Sequence, residues 1–182
     1  CAKVNIIVDW FAARGITFRH INLGGGLGID YENPDENPIV DFERYFSLFD
    51  RGIVRSEEQK LHFELGRSLV GQCGELITRV LYNKVSGDGE ELVVVDAGMN
   101  DLMRPALYGA KHKIVNLSSK GELRKYTIVG PICESSDVFS TDIFLSETHR
   151  GDLLSIKSTG AYGASMASNY NMREIANTRY LE

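Results

Sequence analysis

Apolar positions recur at helical spacing as the chain opens: Val4, Ile7, Val8 and Phe11 lie three and four apart. Gly15 then sits where a helix C-terminus favours a glycine, so the pattern predicts a helix from Ala2 to Ala13. Ile16, Phe18, Ile21 and Leu23 stand among polar neighbours, with the alternation slipping by one residue at His20. They predict a buried strand that runs into Gly24-Gly-Gly-Leu-Gly28. Tyr31 to Pro38, with two prolines, two asparagines and three acids, reads as a surface loop. Phe42, Tyr45, Phe46 and Phe49 mark a second amphipathic helix, from near Asp41 to about Gly52. Leu61 to Val70 reads as another buried strand. Helix, strand, helix, strand is the rhythm of parallel α/β units.

After Val70 the texture changes. Leu76 to Val85, Glu91 to Asp96, His112 to Leu117, Tyr126 to Ile132 and Asp152 to Ser158 predict separate β-strands, most of them rich in Val, Ile, Thr and Tyr. Polar turns such as Ser86-Gly-Asp-Gly89 divide them. The expected organisation is an α/β part over residues 1–72 and a β-rich domain over residues 73–182. The first residue is Cys1, opening directly onto a helical pattern, which is how a fragment starts.

Composition narrows the function classes. The net charge of -5 and the lack of a basic patch disfavour nucleic-acid binding. No apolar run approaches the roughly 20 residues that span a bilayer. Cys1, Cys73 and Cys133 are odd in number and far apart, which suits a reducing compartment and gives neither a zinc pair nor a disulfide framework. His20, His62, His112 and His149 form no ligand pattern, so no metal is expected and they read as structural or solvated.

Five stretches carry candidate chemistry. Gly24, Gly25 and Gly26 leave backbone N–H groups free to approach a ligand, most often a phosphate; a plain turn is the bland alternative. Glu64 and Arg67 flank Gly66 in an apolar stretch, either as a mutual salt bridge or as a pair aimed at a ligand beyond a strand's C-terminal end. Arg104 and Tyr108 would share a helical face and could hold a carboxylate, or simply pack on the surface. In Gly130-Pro-Ile-Cys-Glu-Ser-Ser-Asp137, a cysteine among polar loop residues can donate a proton, since its ordinary pKa is about 8.5. Glu134 beside it could pair with an ammonium, and Cys133 as inert filler is the alternative. Gly160-Ala-Tyr-Gly163 opens a small-residue stretch that reads as a loop entering a helix, with Tyr162 offering a hydroxyl to a phosphate or ring.

Taken together, Gly24-Gly-Gly-Leu-Gly28, Glu64-Leu-Gly-Arg67, Arg104-Pro-Ala-Leu-Tyr108, Cys133-Glu-Ser-Ser-Asp137 and Ala161-Tyr-Gly163 resemble the diaminopimelate decarboxylases in order and spacing. These are PLP-dependent decarboxylases with an alanine-racemase-like fold. The match covers nearly the whole chain but only the C-terminal half of the family's length. It implies the last units of a PLP-binding (β/α)8 barrel followed by a β-rich, Greek-key or sandwich-like domain. Gly24, Gly25, Gly26, Gly66 and Arg67 would then hold the pyridoxal 5'-phosphate, with Glu64 facing its ring nitrogen and Tyr162 touching it. Arg67, Arg104 and Tyr108 would bind the substrate's distal carboxylate, with Tyr162 also at the substrate, and Glu134 its distal ammonium. Cys133 would be the catalytic proton donor. The resemblance further implies a cytoplasmic homodimer with the site shared across the interface, making lysine from meso-diaminopimelate. Carboxynorspermidine, arginine or ornithine as substrate, or a stand-alone dimerising β-domain, are the alternatives.

The chain also departs from the family. Leu65 stands where proline is common, and Met172 to Glu182 differ from the usual ending, with Leu181-Glu182 reading as an appended terminus. No lysine can be assigned as the Schiff-base anchor, because Lys3, Lys60 and Lys84 lie in the wrong context. The isolated chain is therefore expected to be inactive.

Overall fold

The computed structural model describes residues 1–181; the expectation for an appended terminus therefore lies partly outside the described residues, at position 182. Helix α1 (Ala2–Ala12) leads to β1 (His20–Asn22), and α2 (Phe42–Gly52) leads to β2 (Lys60–His62). The two strands pair in parallel, with Ile21 opposite Leu61. Asp41 caps α2 by accepting from the Arg44 N–H at 2.8 Å. The aromatic stripe of α2 closes over the end of β2, where the Phe63 ring lies 5.0–5.8 Å from those of Tyr45, Phe46 and Phe49.

The predicted strand over Leu61–Val70 breaks in two. β2 ends at His62, and Gly66–Val70 forms a short helix, α3. The break follows from backbone pairing: Glu64 N–H donates to the Gly24 carbonyl at 2.8 Å, which bends the chain toward the glycine loop. Leu65 then opens the helical turn, its carbonyl taking both the Ser68 hydroxyl and the Leu69 N–H. Arg67 accordingly projects from a helix rather than a strand.

A 3-10 turn at Gly71–Cys73 delivers the chain into a six-stranded sheet of order β5-β8-β3-β4-β6-β7. Its strands are β3 (Leu76–Val85), β4 (Glu91–Val95), β5 (Ile114–Asn116), β6 (Leu123–Val129), β7 (Val138–Ser146) and β8 (Leu153–Ile156). β3 turns the corner: Leu76–Arg79 pair with β8, and after an irregularity between Val80 and Tyr82 the remainder pairs with β4. The edge strands β5 and β7 touch, so the sheet nearly closes on itself. β4 and β6 run parallel, a departure from all-antiparallel Greek-key pairing. Val93, Val95, Ile128, Leu154 and Ile156 fill the interior.

Helix α4 (Arg104–Tyr108) follows β4 and stops at Gly109, whose φ of +62° favours glycine. β7 was absent from the predicted strands. The expected helix after Gly160 is also absent: two 3-10 turns, Ala164–Met166 and Tyr170–Met172, stand there instead. The small residues serve a close crossing, since a Cβ on Gly160 would come within 2.0 Å of the Val70 carbonyl oxygen. The crossing sets the 160–163 turn against α3. The loop after β1 is tied to the sheet domain as well, by Lys113 and Lys157 on Asp35 at 2.9 and 3.9 Å.

Candidate functional site

The glycine loop and α3 face each other across a cleft of about 260 Å³, lined by Gly25, Gly26, Leu27, Glu64, Leu65, Gly66, Arg67 and Tyr162. Residues from three separate stretches of the sequence therefore meet in one place. Gly24 and Gly26 hold φ of +71° and +109°, and a Cβ on Gly25 would lie 2.5 Å from the Glu64 carbonyl oxygen. The loop thus presents bare backbone to the cleft. Tyr162 adopts φ of +64°, a costly conformation for a bulky residue, and presents a half-exposed ring there.

Glu64 is aimed by a neighbour the sequence reading passed over. Asn22 Nδ2 donates to Glu64 Oε1 at 2.7 Å, while Asn22 Oδ1 accepts from the Gly24 N–H at 2.8 Å. One amide thereby couples the acid to the glycine loop. The same open face of β1 and β2 carries His20 and His62, whose Nδ1 and Nε2 share a hydrogen bond at 2.8 Å. The sequence reading left these histidines unconnected, because only parallel pairing of β1 with β2 makes them neighbours.

An anion-accepting loop with Arg67, an oriented carboxylate and a phenol suit a phosphorylated ring with a basic nitrogen. The side chains present therefore fit PLP. Among the described residues, no lysine is in the cleft's walls. Lys60 occupies the N-terminal end of β2, away from Glu64, while Lys3 and Lys84 lie on α1 and β3.

Arg104 is buried at the start of α4. Its Nη1 donates to the Tyr31 hydroxyl oxygen at 2.7 Å and to His112 Nε2 at 3.2 Å. The His112 ring meets the Lys157 carbonyl through Nδ1 at 2.8 Å. A carbonyl only accepts, so Nδ1 carries the proton and Nε2 is the acceptor for Arg104. Burial is the main cause that pushes the His112 pKa down, opposed by the Lys157 carbonyl and aided by the Arg104 charge. The Arg104 guanidinium also lies 5.0 Å from the Tyr31 ring centroid and 6.0 Å from that of Tyr162, which lines the cleft.

Tyr108, predicted to share a face with Arg104, is 66% exposed while Arg104 is buried. The helix ends at Tyr108, whose phenol is left at the surface while the guanidinium is enclosed.

Cys133 and Glu134 are exposed on the loop between β6 and β7 and are not walls of the cleft. Tyr170 reaches Glu134 Oε2 at 3.5 Å. The loop is held by Asp137, whose carboxylate accepts from the N–H groups of Met99 and Ile132, both at 2.7 Å. Burial nonetheless raises the Asp137 pKa against those two donors.

The molecule has this architecture in common with one enzyme class. Residues 7–160 match the model of the pyridoxal-dependent decarboxylase C-terminal sheet domain, and the chain belongs to that family. Within it, the chain is 51% identical over 175 residues to the diaminopimelate decarboxylase of Bacteroides thetaiotaomicron, covering 96% of the chain and 45% of that relative. The Helicobacter pylori diaminopimelate decarboxylase complexed with L-lysine superposes with a TM-score of 0.81 at 42% identity, covering 93% of this chain and 41% of that one. A lysine/ornithine decarboxylase from Vibrio vulnificus complexed with cadaverine shares the fold, with a TM-score of 0.82 at 20% identity. The chain spans less than half the length of these relatives.

Proposed function

We propose that the chain is the C-terminal part of a PLP-dependent decarboxylase that converts meso-diaminopimelate to L-lysine and CO2. The observation that carries the reading is the convergence of the glycine loop, Glu64, Arg67 and Tyr162 on one cleft, with Arg104 just behind Tyr162. In this reading residues 1–72 are the last units of the PLP-binding barrel and residues 73–182 the sheet domain. Support comes from the parallel β1–β2 pair with its two helices, and from the 3-10 turn that leads into the sheet.

The backbone of Gly24, Gly25 and Gly26, with Gly66 and Arg67, would hold the cofactor's phosphate, and Glu64 its ring nitrogen. When bound, PLP supplies an electron sink for the pair left behind as CO2 departs. Arg67 and Arg104 hold the substrate's distal carboxylate, with Tyr108 at its edge and Tyr162 beside it. Cys133 delivers a proton to the carbon that has lost CO2, and Glu134 pairs with the distal ammonium. Both residues sit on an exposed loop outside their own chain's cleft, which supports a homodimer whose loops reach into the partner's site. The free thiols of Cys1, Cys73 and Cys133 suit the cytoplasm.

A substrate panel on the full-length enzyme tests the reading. Meso-diaminopimelate should be turned over with the highest kcat/KM, and Cys133→Ala should lower kcat at least about a hundredfold while PLP stays bound. Preference for carboxynorspermidine, arginine or ornithine would replace the substrate. Unchanged turnover in Cys133→Ala would remove Cys133 from its role.

A further inference from the structure

We propose that His112 and Tyr31 are positioning residues that hold Arg104 as an uncompensated cation for the substrate's second carboxylate; this rests on the reading of Arg104 given above. Arg104 is 7% exposed. Among the described residues no carboxylate lies within ion-pair distance of it, although buried cations are normally matched by an acid. Its partners are instead a phenol oxygen and an imidazole nitrogen, both neutral acceptors. A neutral acceptor fixes the guanidinium without cancelling its charge. An aspartate in the place of His112 would fix it equally well and quench it.

The direction of the two bonds adds to this. Both leave from Nη1, so the edge formed by Nε and Nη2 remains for a planar two-oxygen partner. Tyr31 and Tyr162 lie 5.0 and 6.0 Å from the guanidinium, which places aromatic rings beside it and carries its position to the cleft. His112 is itself locked, through Nδ1 to the Lys157 carbonyl beyond β8. The sheet domain and the loop after β1 therefore converge on one guanidinium, 73 residues from Tyr31 and 8 from His112.

A ligand with a carboxylate at its far end would feel this arrangement; one without it would not. His112→Ala and Tyr31→Phe are made in the full-length, PLP-loaded enzyme, with Arg104→Ala as reference. Each of the first two should raise KM for meso-diaminopimelate by about fivefold, the usual effect of losing one buried hydrogen bond, with kcat changed much less. The PLP absorbance spectrum should stay as in the parent. L-Lysine, which keeps the distal carboxylate once CO2 has left the reacting carbon, should inhibit the variants more weakly than the parent. Cadaverine, which lacks both carboxylates, should inhibit the variants and the parent alike. Parallel weakening of cadaverine and meso-diaminopimelate, or altered PLP absorbance in the conservative Tyr31→Phe, would mean general damage and overturn the proposal. Unchanged KM in both variants with a raised KM in Arg104→Ala would overturn the positioning role and leave the reading of Arg104 intact. Unchanged KM in Arg104→Ala would instead remove Arg104 from the substrate site.

Discussion

Asp137 shows how a single side chain can decide where a functional loop sits. Its two carboxylate oxygens each take a backbone N–H, one from Ile132 next to Cys133 and one from Met99 across the fold. Gly130 must lack a side chain for this to happen, since a Cβ there would overlap the Asp137 carboxylate. An amide has one acceptor oxygen, so Asp137→Asn leaves one buried N–H unpaired at a cost of about 1–3 kcal/mol. Thermal unfolding of the variant should show this loss, and an unchanged melting temperature would mean the loop is held elsewhere. The pH dependence has a definite sign. Burial raises the folded-state pKa of Asp137, so in that window the folded chain binds the proton the unfolded chain has lost. The stability this group contributes is present below the ordinary carboxylate value and declines as pH rises through the raised one. Asp137→Asn should abolish that part of the slope.

At the scale of elements, strong periodicity was legible and pairing was not. Val93-Val-Val95 was readable as a core strand, and the aromatic stripe from Phe42 to Phe49 as a helix, because burial of one face leaves its period in the sequence. β7 escaped because its apolar residues, Val138-Phe139 and Ile143-Phe-Leu145, are separated by Ser140, Thr141 and Asp142, which interrupts the pattern. The stretch Leu61–Val70 misled for a different reason: Leu61, Phe63 and Leu65 alternate with polar residues as in a strand, and the bend comes with a hydrogen bond to Gly24, forty residues earlier. The five motifs were visible as local strings. Their supports, Asn22, Tyr31 and His112, were not, and neither was the role of Asp137 within its string, since each acts through a contact that only the fold creates. The glycine loop is held by such a contact. Gly25→Ala would push a methyl against the Glu64 carbonyl oxygen, 2.5 Å away, and must displace either the loop or Glu64. In the full-length enzyme the expected result is at least tenfold weaker PLP binding, about 1.4 kcal/mol, measured by absorbance titration. Wild-type affinity would show that the loop can yield without moving the phosphate site.

For the molecule as a whole, the cleft is furnished on one side. The glycine loop, Glu64, Arg67 and Tyr162 supply a place for a phosphate and a ring nitrogen, but the walls include no lysine. A carbonyl-bearing cofactor is made reactive toward amino acids by an amine that anchors it and is then exchanged for the substrate's. The relatives that the chain resembles are more than twice its length, and the open face of β1 and β2 leaves His20, His62 and Glu64 exposed. Ile6, Ile7 and Trp10 of α1 are exposed as well, an apolar face of the kind that further α/β units cover. On the proposed function, the 182-residue chain incubated with PLP and meso-diaminopimelate should release no CO2, and borohydride should fix no pyridoxyl group on Lys60. The full-length enzyme should release CO2 and, after borohydride, carry its pyridoxyl group on a lysine outside this sequence. CO2 release by the chain alone would show that one of its own lysines reaches the cleft, and would place the anchor within this sequence.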